Sequence, residues 1–520
     1  MFSFEQFLIV NSRNYPNRLA IVSRQRTLTY SELNRESTCI ANALKKRGVI
    51  KGDVVAFLLN NSVEWSVVWY ACQKLGAVVL PLHGRLRADE LIRQMSLVDC
   101  SVLIYGNNFA KQVTEIRKNY NTLRFTVCVG EHDESDALTM DSLYEDPNFG
   151  EIDVFINNDD PALILFTSGT TGYSKGIMRT QGMLVLHAIT LALGNDNTQL
   201  PEVMLTTSPL YHTGGLLCLF KMAILGSTLI LLDRIDPVEI LEMIESYHVT
   251  QIMMLPSITY ERLYKCYDWR MRDLTSVKEV CISAGKSTYE YALHIFEIFS
   301  NCHLRPSWGA TETCSVTGMQ LSREDLEKDP KIIGVVGKVN AFTEVRIVDK
   351  EGNDVQPGSV GEALVRSPMV FSGYLGDPEI SENIFTSDGW FKTDDIMKMD
   401  PDTDNFYFID RKSDVIKTGG ENVFALEIER AIQEHPSIYE CAVVGVPDDT
   451  FGEGIAAAVV LKHDRSITKD EFINFCKNQL PSFKKPRYIA IMDSLPINSV
   501  GKVQKTVLRD RADELFVSLY

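Results

Sequence analysis

The sequence predicts an α/β protein whose 520 residues form two units of unequal size. Apolar, strand-like runs alternate with helix-like patterns between residues 41 and 304, as in a sheet that is covered by helices. Near residues 408–414 an apolar strand gives way to a charged stretch. We therefore expect a large domain at residues 1–410 and a small domain at residues 411–520.

Several short apolar runs are expected to be buried strands of the large domain, namely residues 54–58, 78–82, 228–232 and 252–255. A further apolar run, residues 162–166, leads directly into a segment rich in glycine and hydroxyl residues. This arrangement predicts a strand that delivers a polar loop to the edge of a sheet.

Composition and charge exclude several classes of protein. With 45% hydrophobic and 23% charged residues, the chain has the composition of an ordinary globular protein. The formal net charge of −17 offers no basic surface for nucleic acid or for an anionic membrane. Residues 411–520 contain 15 basic and 16 acidic residues, so the acidity lies in the large domain. A near-neutral small domain suits a lid that approaches an anionic ligand, the alternative being simple compositional drift.

The 11 cysteines are scattered singly, which is typical of reduced thiols in a core and disfavours disulfides and zinc. The longest apolar stretch, residues 216–232, is broken by polar residues and is too short to predict a membrane span. The N-terminus has no basic region ahead of a long apolar core, so no signal peptide is predicted. We expect a cytoplasmic protein.

Residues 165–176, Leu-Phe-Thr-Ser-Gly-Thr-Thr-Gly-Tyr-Ser-Lys-Gly, form the most informative segment. Its glycines permit positive φ angles, so that N–H groups and hydroxyls can turn inward around phosphate oxygens. Lys175 adds a cation, but its neighbours Ser174 and Gly176 depart from the Walker pattern. The segment indicates ATP binding outside the P-loop NTPases, the alternative being an ordinary polar turn. The predicted ATP-binding residues here are Thr167, Ser168, Gly169, Thr170, Thr171, Gly172 and Lys175.

Motifs downstream occur in an order that resembles the adenylate-forming superfamily of acyl- and aryl-CoA ligases, luciferases and peptide-synthetase adenylation domains. The matching segments are residues 209–215, 308–312, 389–395, 410–414 and 495–502, together with the early segments 28–33 and 75–81. The resemblance covers nearly the whole chain. It implies layered α/β subdomains with a small β-barrel-like portion in the large domain, and a small, mobile α+β C-terminal domain.

The segment Trp-Gly-Ala-Thr-Glu is similar to a family motif in which the aromatic residue stacks near adenine, the threonine reaches the α-phosphate and the glutamate engages Mg²⁺. The resemblance therefore assigns ATP binding to this segment and makes Glu312 the candidate metal ligand. The matching residues are Trp308, Gly309, Ala310, Thr311 and Glu312.

Two charged residues match the family's ribose contacts. Asp395 corresponds to the aspartate that accepts both ribose hydroxyls, and Arg411 to the arginine that contacts ribose and phosphate. The family's glycine before the aspartate is Asp394 here, which either shifts a turn or faces solvent. Lys502 in the last motif matches the lysine that bridges the carboxylate and the α-phosphate.

The small domain carries the features that the family uses for CoA. Lys417, Gly419 and Gly420 resemble the segment that lines the pantetheine tunnel, where small residues let a thiol arm pass close to the backbone. Ser413 occupies the hinge position at which relatives commonly have Asp or Lys. Because a hinge needs backbone freedom, we expect rotation to persist.

Residues 209–215 resemble the aromatic-His motif of the CoA ligases, with Tyr211 beside the acyl group and His212 near the carboxylate. Amino-acid-activating relatives usually carry Asp at the histidine position, so an amino-acid substrate is disfavoured. Gly214 and Gly215 are expected to leave room for an acyl chain or a bulkier group.

The family usually has Gly-Gly-Ala near adenine and the acyl pocket, and this chain has Ser-Ala-Gly there instead. We predict that Ser283 contacts the substrate and that Ala284 and Gly285 contact ATP. Lys286 follows them and is expected to face solvent, the alternative being a pairing with a polar or anionic substrate tail.

These assignments predict an AMP-forming acid:CoA ligase that uses ATP, Mg²⁺ and CoA, with Lys502, His212 and Glu312 in catalysis. A carboxylate attacks the ATP α-phosphate to give acyl-AMP, and the acyl group then passes to the CoA thiol. The expected substrate is a fatty or other non-amino-acid carboxylate, with medium-chain and carnitine-like acids as candidates. An enzyme that loads a carrier-protein phosphopantetheine and an inactive nucleotide-binding relative remain alternatives, and a homo-oligomer is left open.

Overall fold

The computed structural model describes residues 2–131, 138–145, 147–167, 174–194, 201–253, 257–282, 289–497 and 503–520. Its strands lie at β1 (Leu19–Val22), β2 (Thr27–Thr29), β3 (Val54–Leu58), β4 (Val78–Pro81), β5 (Val102–Gly106), β6 (Phe125–Val129), β7 (Leu138–Thr139), β8 (Pro161–Thr167), β9 (Lys175–Thr180), β10 (Val203–Thr206), β11 (Thr228–Leu231), β12 (Gln251–Ile252), β13 (Glu279–Ile282), β14 (His303–Ala310), β15 (Cys314–Gly318), β16 (Val335–Val339), β17 (Glu344–Val348), β18 (Val360–Arg366), β19 (Tyr374–Leu375), β20 (Phe391–Met399), β21 (Phe406–Arg411), β22 (Val415–Thr418), β23 (Glu421–Phe424), β24 (Ile438–Asp448), β25 (Gly452–Leu461), β26 (Tyr488–Met492) and β27 (Val517–Ser518).

The α-helices lie at α1 (Glu5–Asn14), α2 (Tyr30–Lys46), α3 (Val63–Leu75), α4 (Ala88–Leu97), α5 (Ala110–Asn119), α6 (Gln181–Leu193), α7 (Thr213–Leu225), α8 (Pro237–Tyr247), α9 (Ser257–Lys265), α10 (Tyr289–Ile298), α11 (Arg323–Lys328), α12 (Pro378–Asn383), α13 (Ala425–Gln433), α14 (Lys469–Gln479), α15 (Lys505–Asp510) and α16 (Ala512–Leu515). Within the described ranges, each helix is too short or too polar to cross a lipid bilayer.

The chain divides into two compact units. The larger comprises Met1–Ile333, Gly337–Glu344 and Val365–Phe391, and the smaller comprises Gly334–Val336, Val345–Leu364 and Lys392–Tyr520. The mixed α/β class with a large N-terminal and a small C-terminal part is therefore confirmed. The boundary at residues 410/411 stays a prediction.

The larger unit contains two sheets. One has the strand order β19-β9-β8-β4-β3-β5-β6-β7, parallel from β8 to β7 and antiparallel at β9 and β19. The other runs β2-β1-β11-β10-β12-β13-β14-β15 and is antiparallel only at its two ends. Parallel strands need helical crossovers, which accounts for the alternation seen in the sequence.

Alternating side chains of each strand serve two cores. In β3, Val55 and Phe57 join the core that α2, α3, α6 and α7 fill between the sheets, whereas Ala56 and Leu58 face α4 and α5. Outer residues of the second sheet, such as Ile230 and Val280, pack against α8 to α10. The larger unit thus has five alternating layers of helices and sheets.

Two helix starts show how local chemistry sets these bounds. Thr29 and Glu32 form a capping box at α2, in which each side chain accepts the other residue's backbone N–H. Ser62 caps α3, and Gly76 ends it with φ 66°.

The smaller unit has neighbouring strands in the order β17-β18-β20-β21, of which β20 and β21 are antiparallel, and a sheet of order β23-β22-β25-β26-β27, with β24 paired to β25. The inward side chains of β24 and β25 pack against α13 and α14, and the opposite face packs against α15. All 11 cysteines of the chain are free thiols, and ten of them are buried.

The predicted strands at 54–58, 78–82, 162–166 and 228–232 are confirmed within one or two residues. Residues 252–255 were predicted to be a strand, but the observed β12 ends at Ile252, and residues 254–256 lie outside the described residues.

Candidate active site

The predicted phosphate loop joins two paired strands. Thr167 ends β8 and Lys175 begins β9; the two residues face each other across the hairpin, and the Thr167 Oγ1 lies 3.5 Å from the Lys175 carbonyl oxygen. Five of the predicted loop residues lie outside the described residues, namely Ser168, Gly169, Thr170, Thr171 and Gly172. The strand pair therefore fixes the positions of Thr167 and Lys175, the two residues that flank the loop.

The Trp-Gly-Ala-Thr-Glu segment turns sharply at the end of β14. Trp308 is buried, and the N–H of Ala310 donates to Thr313 Oγ1 at 3.0 Å. A Cβ atom on Gly309 would lie 2.0 Å from the Cys314 carbonyl oxygen, so only glycine fits there. The turn sets Thr311 and Glu312 at the end of the strand pair.

Tyr374 joins these two motifs. Its hydroxyl donates to Glu312 Oε1 at 2.9 Å, and its ring centroid lies 4.8 Å from Lys175 Nζ. The Phe371 N–H also donates to the Glu312 carbonyl oxygen at 3.0 Å. The candidate metal ligand and the phosphate-loop lysine therefore contact one aromatic side chain.

Arg179 connects the segment before Tyr374 with the segment before Glu312 through hydrogen bonds. It lies on β9, is buried, and donates from its guanidinium to the carbonyl oxygens of Thr311 and Met369. The buried imidazole of His187 lies nearby, and burial together with the Arg179 charge lowers the pKa of His187 to about 3. Arg179 therefore remains next to a neutral histidine.

The aromatic-His segment meets this turn at the start of α7. Thr213 Oγ1 donates to Thr311 Oγ1 at 3.3 Å. The rings of Tyr211 and His212 lie 4.6 Å apart, and the ring of His83 lies 4.5 Å from Tyr211 and 5.6 Å from His212. Burial raises the pKa of Tyr211 and, with the charge of Arg85, lowers the pKa of His83. Three predicted motifs thus meet in one region of the larger unit.

Gly215 lies too close to neighbouring backbone to carry a side chain. A Cβ atom on Gly215 would lie 2.3 Å from the Pro209 carbonyl oxygen. Neighbouring backbone fills the space that a side chain would occupy, which gives a structural reason for glycine here, and the expectation that Gly215 leaves room for an acyl chain stays a prediction. Its role in substrate binding stays a prediction, as does that of Gly214.

The predicted ribose residues lie together in the smaller unit. Asp395 on β20 is directly opposite Arg411 on β21, and its Oδ1 lies 2.7 Å from the Arg411 Nε. Asp395 is 2% exposed, whereas the Arg411 side chain is 45% exposed. Asp394 is exposed and keeps a positive φ of 58°, the backbone conformation that glycine favours. Asp394 therefore faces solvent and does not shift the turn.

The two predicted CoA-site glycines form a hairpin loop. Gly419 and Gly420 have φ angles of 58° and 85° and connect Thr418 to its partner Glu421. A two-residue hairpin requires such angles, so turn geometry alone accounts for both glycines. Lys417 precedes them, and its N–H donates to Glu453 Oε2 at 2.5 Å. Their role in CoA binding stays a prediction.

Ser413 lies in a short 3₁₀ turn, Lys412–Asp414, between β21 and β22. Its carbonyl oxygen accepts a hydrogen bond of 3.2 Å from Arg509. The hinge role of Ser413 stays a prediction. The remaining predicted site residues lie outside the described residues, namely Ser283, Ala284, Gly285 and Lys502, as does Lys286.

Sequence reasoning missed three residues of this region, Tyr374, Arg179 and His83. Each contacts a predicted site residue, but none belongs to a motif that we singled out. The glycines on both sides of Tyr374 and Leu375 could have marked a short edge strand between turns.

The described side chains suit Mg²⁺ that arrives with a nucleotide. They contain no group of three or more His, Cys, Asp or Glu arranged to hold a metal. Mg²⁺ is commonly held by one or two carboxylates together with substrate phosphates and water. The single carboxylate of Glu312, with one oxygen oriented by Tyr374, fits that donor set.

Comparison with known proteins shows the family of the chain. A model of the AMP-binding enzymes matches residues 9–375, and a model of the AMP-binding enzyme C-terminal domain matches residues 427–502. A feruloyl-CoA synthase of an Amycolatopsis species is 32% identical over 96% of this chain and 97% of its own.

Two solved structures are similar along their whole length. ATP-bound MatB from Rhodopseudomonas palustris has a TM-score of 0.87 at 27% identity and covers 99% of both chains. The o-succinylbenzoate CoA synthetase MenE of Bacillus subtilis, in complex with ATP and a magnesium ion, has a TM-score of 0.83 at 27% identity and covers 98% of this chain and 99% of its own. The chain therefore belongs to the AMP-binding enzymes, the adenylate-forming family, in the acyl- and aryl-CoA ligase branch whose members are acid–thiol ligases.

Proposed function

We propose that this protein is an ATP- and Mg²⁺-dependent ligase that activates a non-amino-acid carboxylate as acyl-AMP and transfers the acyl group to the thiol of CoA. The observation that carries the proposal is the meeting of Lys175, Glu312 and Tyr374. It combines a cation for phosphate with a carboxylate for a metal ion, and adenylation needs both at once.

The cations of this region suit an anionic ligand. Lys175 contacts an aromatic ring, and Arg179 contacts backbone carbonyl oxygens. Among the described residues neither cation forms an ion pair within 4.0 Å. The ammonium group of Lys175 therefore remains available to the phosphates of ATP, and bound Mg²⁺ would offset the remaining repulsion between phosphate and carboxylate.

The aromatic-His segment supports a carboxylic acid as the second substrate. Tyr211 and His212 adjoin Thr311 through the Thr213 hydrogen bond, so an acid held there would lie next to the predicted α-phosphate contact. Feruloyl-CoA synthase and the o-succinylbenzoate CoA synthetase act on aryl acids by name, so aryl acids join the fatty and carnitine-like acids as candidates.

The smaller unit would supply the contacts to the ribose and to CoA. Asp395 and Arg411 would bind the ribose, Lys417, Gly419 and Gly420 would line the path of the CoA thiol, and Lys502 would bridge the carboxylate and the α-phosphate. Rotation about Ser413, with a domain boundary at residues 410/411, would separate the two half-reactions.

The test is pyrophosphate release from ATP across a panel of fatty, aryl, carnitine-like, bile and amino acids, each with and without CoA. Release with an acid, together with an acyl-CoA product, is expected. Release without any thioester from CoA would favour a carrier-protein acceptor, and no release with any acid would overturn the proposed function.

A further inference from the structure

We propose that Tyr374 is a positioning residue that keeps the Glu312 carboxylate and the Lys175 ammonium group apart, so that each remains available to Mg²⁺ and phosphate. The inference rests on the proposed function and adds to it a residue that the motifs do not contain.

Tyr374 contacts the two opposite charges with different parts of its side chain. The hydroxyl donates to Glu312 Oε1 at 2.9 Å, while the ring lies 4.8 Å from Lys175 Nζ. A hydrogen bond to one oxygen fixes the direction of a metal-binding carboxylate, as outer partners of metal ligands commonly do. The ring attracts the ammonium group without neutralising it.

Direct pairing is the alternative that Tyr374 prevents. Glu312 and Lys175 both contact the same side chain, yet they form no ion pair within 4.0 Å in the described part of the chain. A direct ion pair would occupy the carboxylate and the cation with each other. With Tyr374 between them, the second oxygen of Glu312 and the ammonium group can both face a Mg²⁺–phosphate ligand.

The backbone holds Tyr374 firmly in this position. It lies on β19, opposite Ile177 of β9, and its N–H donates to Ser381 Oγ at 2.9 Å. Gly373 before it has φ 136°, and a Cβ atom there would lie 2.8 Å from the Ser381 side chain. The ring therefore projects from an anchored edge strand.

Arg179 also holds the backbone on both sides of the contact between Tyr374 and Glu312. Its guanidinium binds the Met369 carbonyl on the segment that leads to Tyr374 and the Thr311 carbonyl next to Glu312. The Phe371 N–H binds the Glu312 carbonyl as well. Because backbone contacts hold the two segments together, removal of the Tyr374 hydroxyl should change the carboxylate's direction while the fold persists.

The experiment compares the Mg²⁺ dependence of wild-type protein with that of Tyr374→Phe, which loses the hydroxyl and retains the ring. Pyrophosphate release and ATP binding by calorimetry are both titrated with Mg²⁺. We expect the half-saturating Mg²⁺ concentration to rise about 10-fold or more, in the range for partners of metal ligands. Thermal unfolding should stay within a few degrees of wild type.

Tyr144→Phe is the matched control, because the Tyr144 hydroxyl also donates to a carboxylate, Glu36, at 3.1 Å. It should leave the Mg²⁺ dependence unchanged. In a Glu312→Gln background, Tyr374→Phe should change ATP affinity less than twofold, since its partner is already altered. A purely structural role would give the same loss in both backgrounds.

An unchanged Mg²⁺ dependence in Tyr374→Phe would overturn the inference while leaving the proposed function intact. If wild-type protein released no pyrophosphate, the ATP-binding titration would still decide the role of Tyr374. Absence of Mg²⁺-dependent ATP binding by wild-type protein would overturn the inference along with the function.

Discussion

The two predicted nucleotide-contact regions hold their charges in opposite ways. In the larger unit, Lys175 and Arg179 contact neutral partners, a phenol ring and backbone carbonyl oxygens. In the smaller unit, Arg411 pairs with Asp395 at 2.7 Å and Lys412 pairs with Glu362 at 2.6 Å.

Lys505 extends the contrast. Its Nζ lies 3.0 Å from Glu429 Oε1. Burial alone lowers the pKa of Lys505, but the negative charges of Glu429, Asp414 and Asp410 outweigh burial, so the pKa is raised overall. The first region keeps positive charge unneutralised, as a polyphosphate site requires, and the second is neutralised within itself. A buried carboxylate that already has a cation suits neutral hydroxyl groups better than a metal ion.

The largest expected effect tests which carboxylate serves the metal. Glu312→Gln should lower pyrophosphate release on the order of 10²- to 10³-fold, as when one preorganised electrostatic group is lost from an active site. Glu344→Gln is the control, because Glu344 pairs with Arg366 on the surface and has no predicted role. A Glu312→Gln enzyme with a rate within twofold of wild type would show that Glu312 does not serve the metal ion, so the two regions would no longer differ in this respect.

Asp395→Asn tests the neutralised region. Hydrogen bonds to charged groups contribute about 1.5–3 kcal/mol, so ATP affinity should fall roughly 10- to 100-fold, with little change in Mg²⁺ dependence. Glu362→Gln, which disturbs the neighbouring ion pair of Lys412, should leave ATP affinity close to wild type. Calorimetric titration with ATP measures both; equal affinities in the two variants would contradict the assignment of Asp395.

Acid pH should weaken the first region through His187. The pKa of His187 is about 3 when folded against an ordinary value of 6.5, so the unfolded chain binds more protons between these values and stability falls as pH decreases. The loss should be roughly 1.5–2 kcal/mol between pH 6.5 and pH 5. Urea unfolding across this range should show a flatter pH dependence in His187→Leu than in wild type or in a variant of the exposed His463. Equal slopes in all three would argue against a buried neutral imidazole beside Arg179.

The smallest effect concerns the link between Thr213 and Thr311. Thr213→Val removes one neutral hydrogen bond with little change in shape, so kcat/KM for the acid should fall about 2- to 10-fold, equivalent to about 0.5–1.5 kcal/mol. Thr114→Val is a suitable control, since Thr114 donates to Ala110 within its own helix. An effect of equal size in both variants would show that this hydrogen bond does not couple the acid site to the phosphate contact.

The strands and motifs were predictable because their signals are local. An apolar run such as residues 54–58 identifies its strand without reference to any other part of the chain. Lys175, Glu312 and Asp395 were assigned from short segments as well, but it was the order of those segments along the chain and their resemblance to the family that gave each residue its role.

The contacts that organise the site were not predictable, because they join distant residues. Tyr374 and Glu312 are 62 positions apart, and Arg179 and Thr311 are 132 apart. The purpose of Gly215 also depends on where the Pro209 carbonyl oxygen lies, and the sequence does not specify that. From the sequence, Asp394 could either shift a turn or face solvent. Its φ of 58° and its exposure decide between the two, and neither can be read from the sequence.

The N-terminal strands have a consequence for the order in which the chain can fold during synthesis. β1 pairs with β11, and the Tyr30 hydroxyl donates to the carbonyl oxygens of Met222 and Ser227. At about 5–20 residues per second, roughly 10–40 s pass between the synthesis of Tyr30 and that of its partners. The parallel strands of residues 54–167 can pair during that interval, while β1 has β2 as its partner on one edge and still lacks β11 on the other. Slow translation before residue 230 would therefore prolong the exposure of the N-terminal segment to chaperones and proteases.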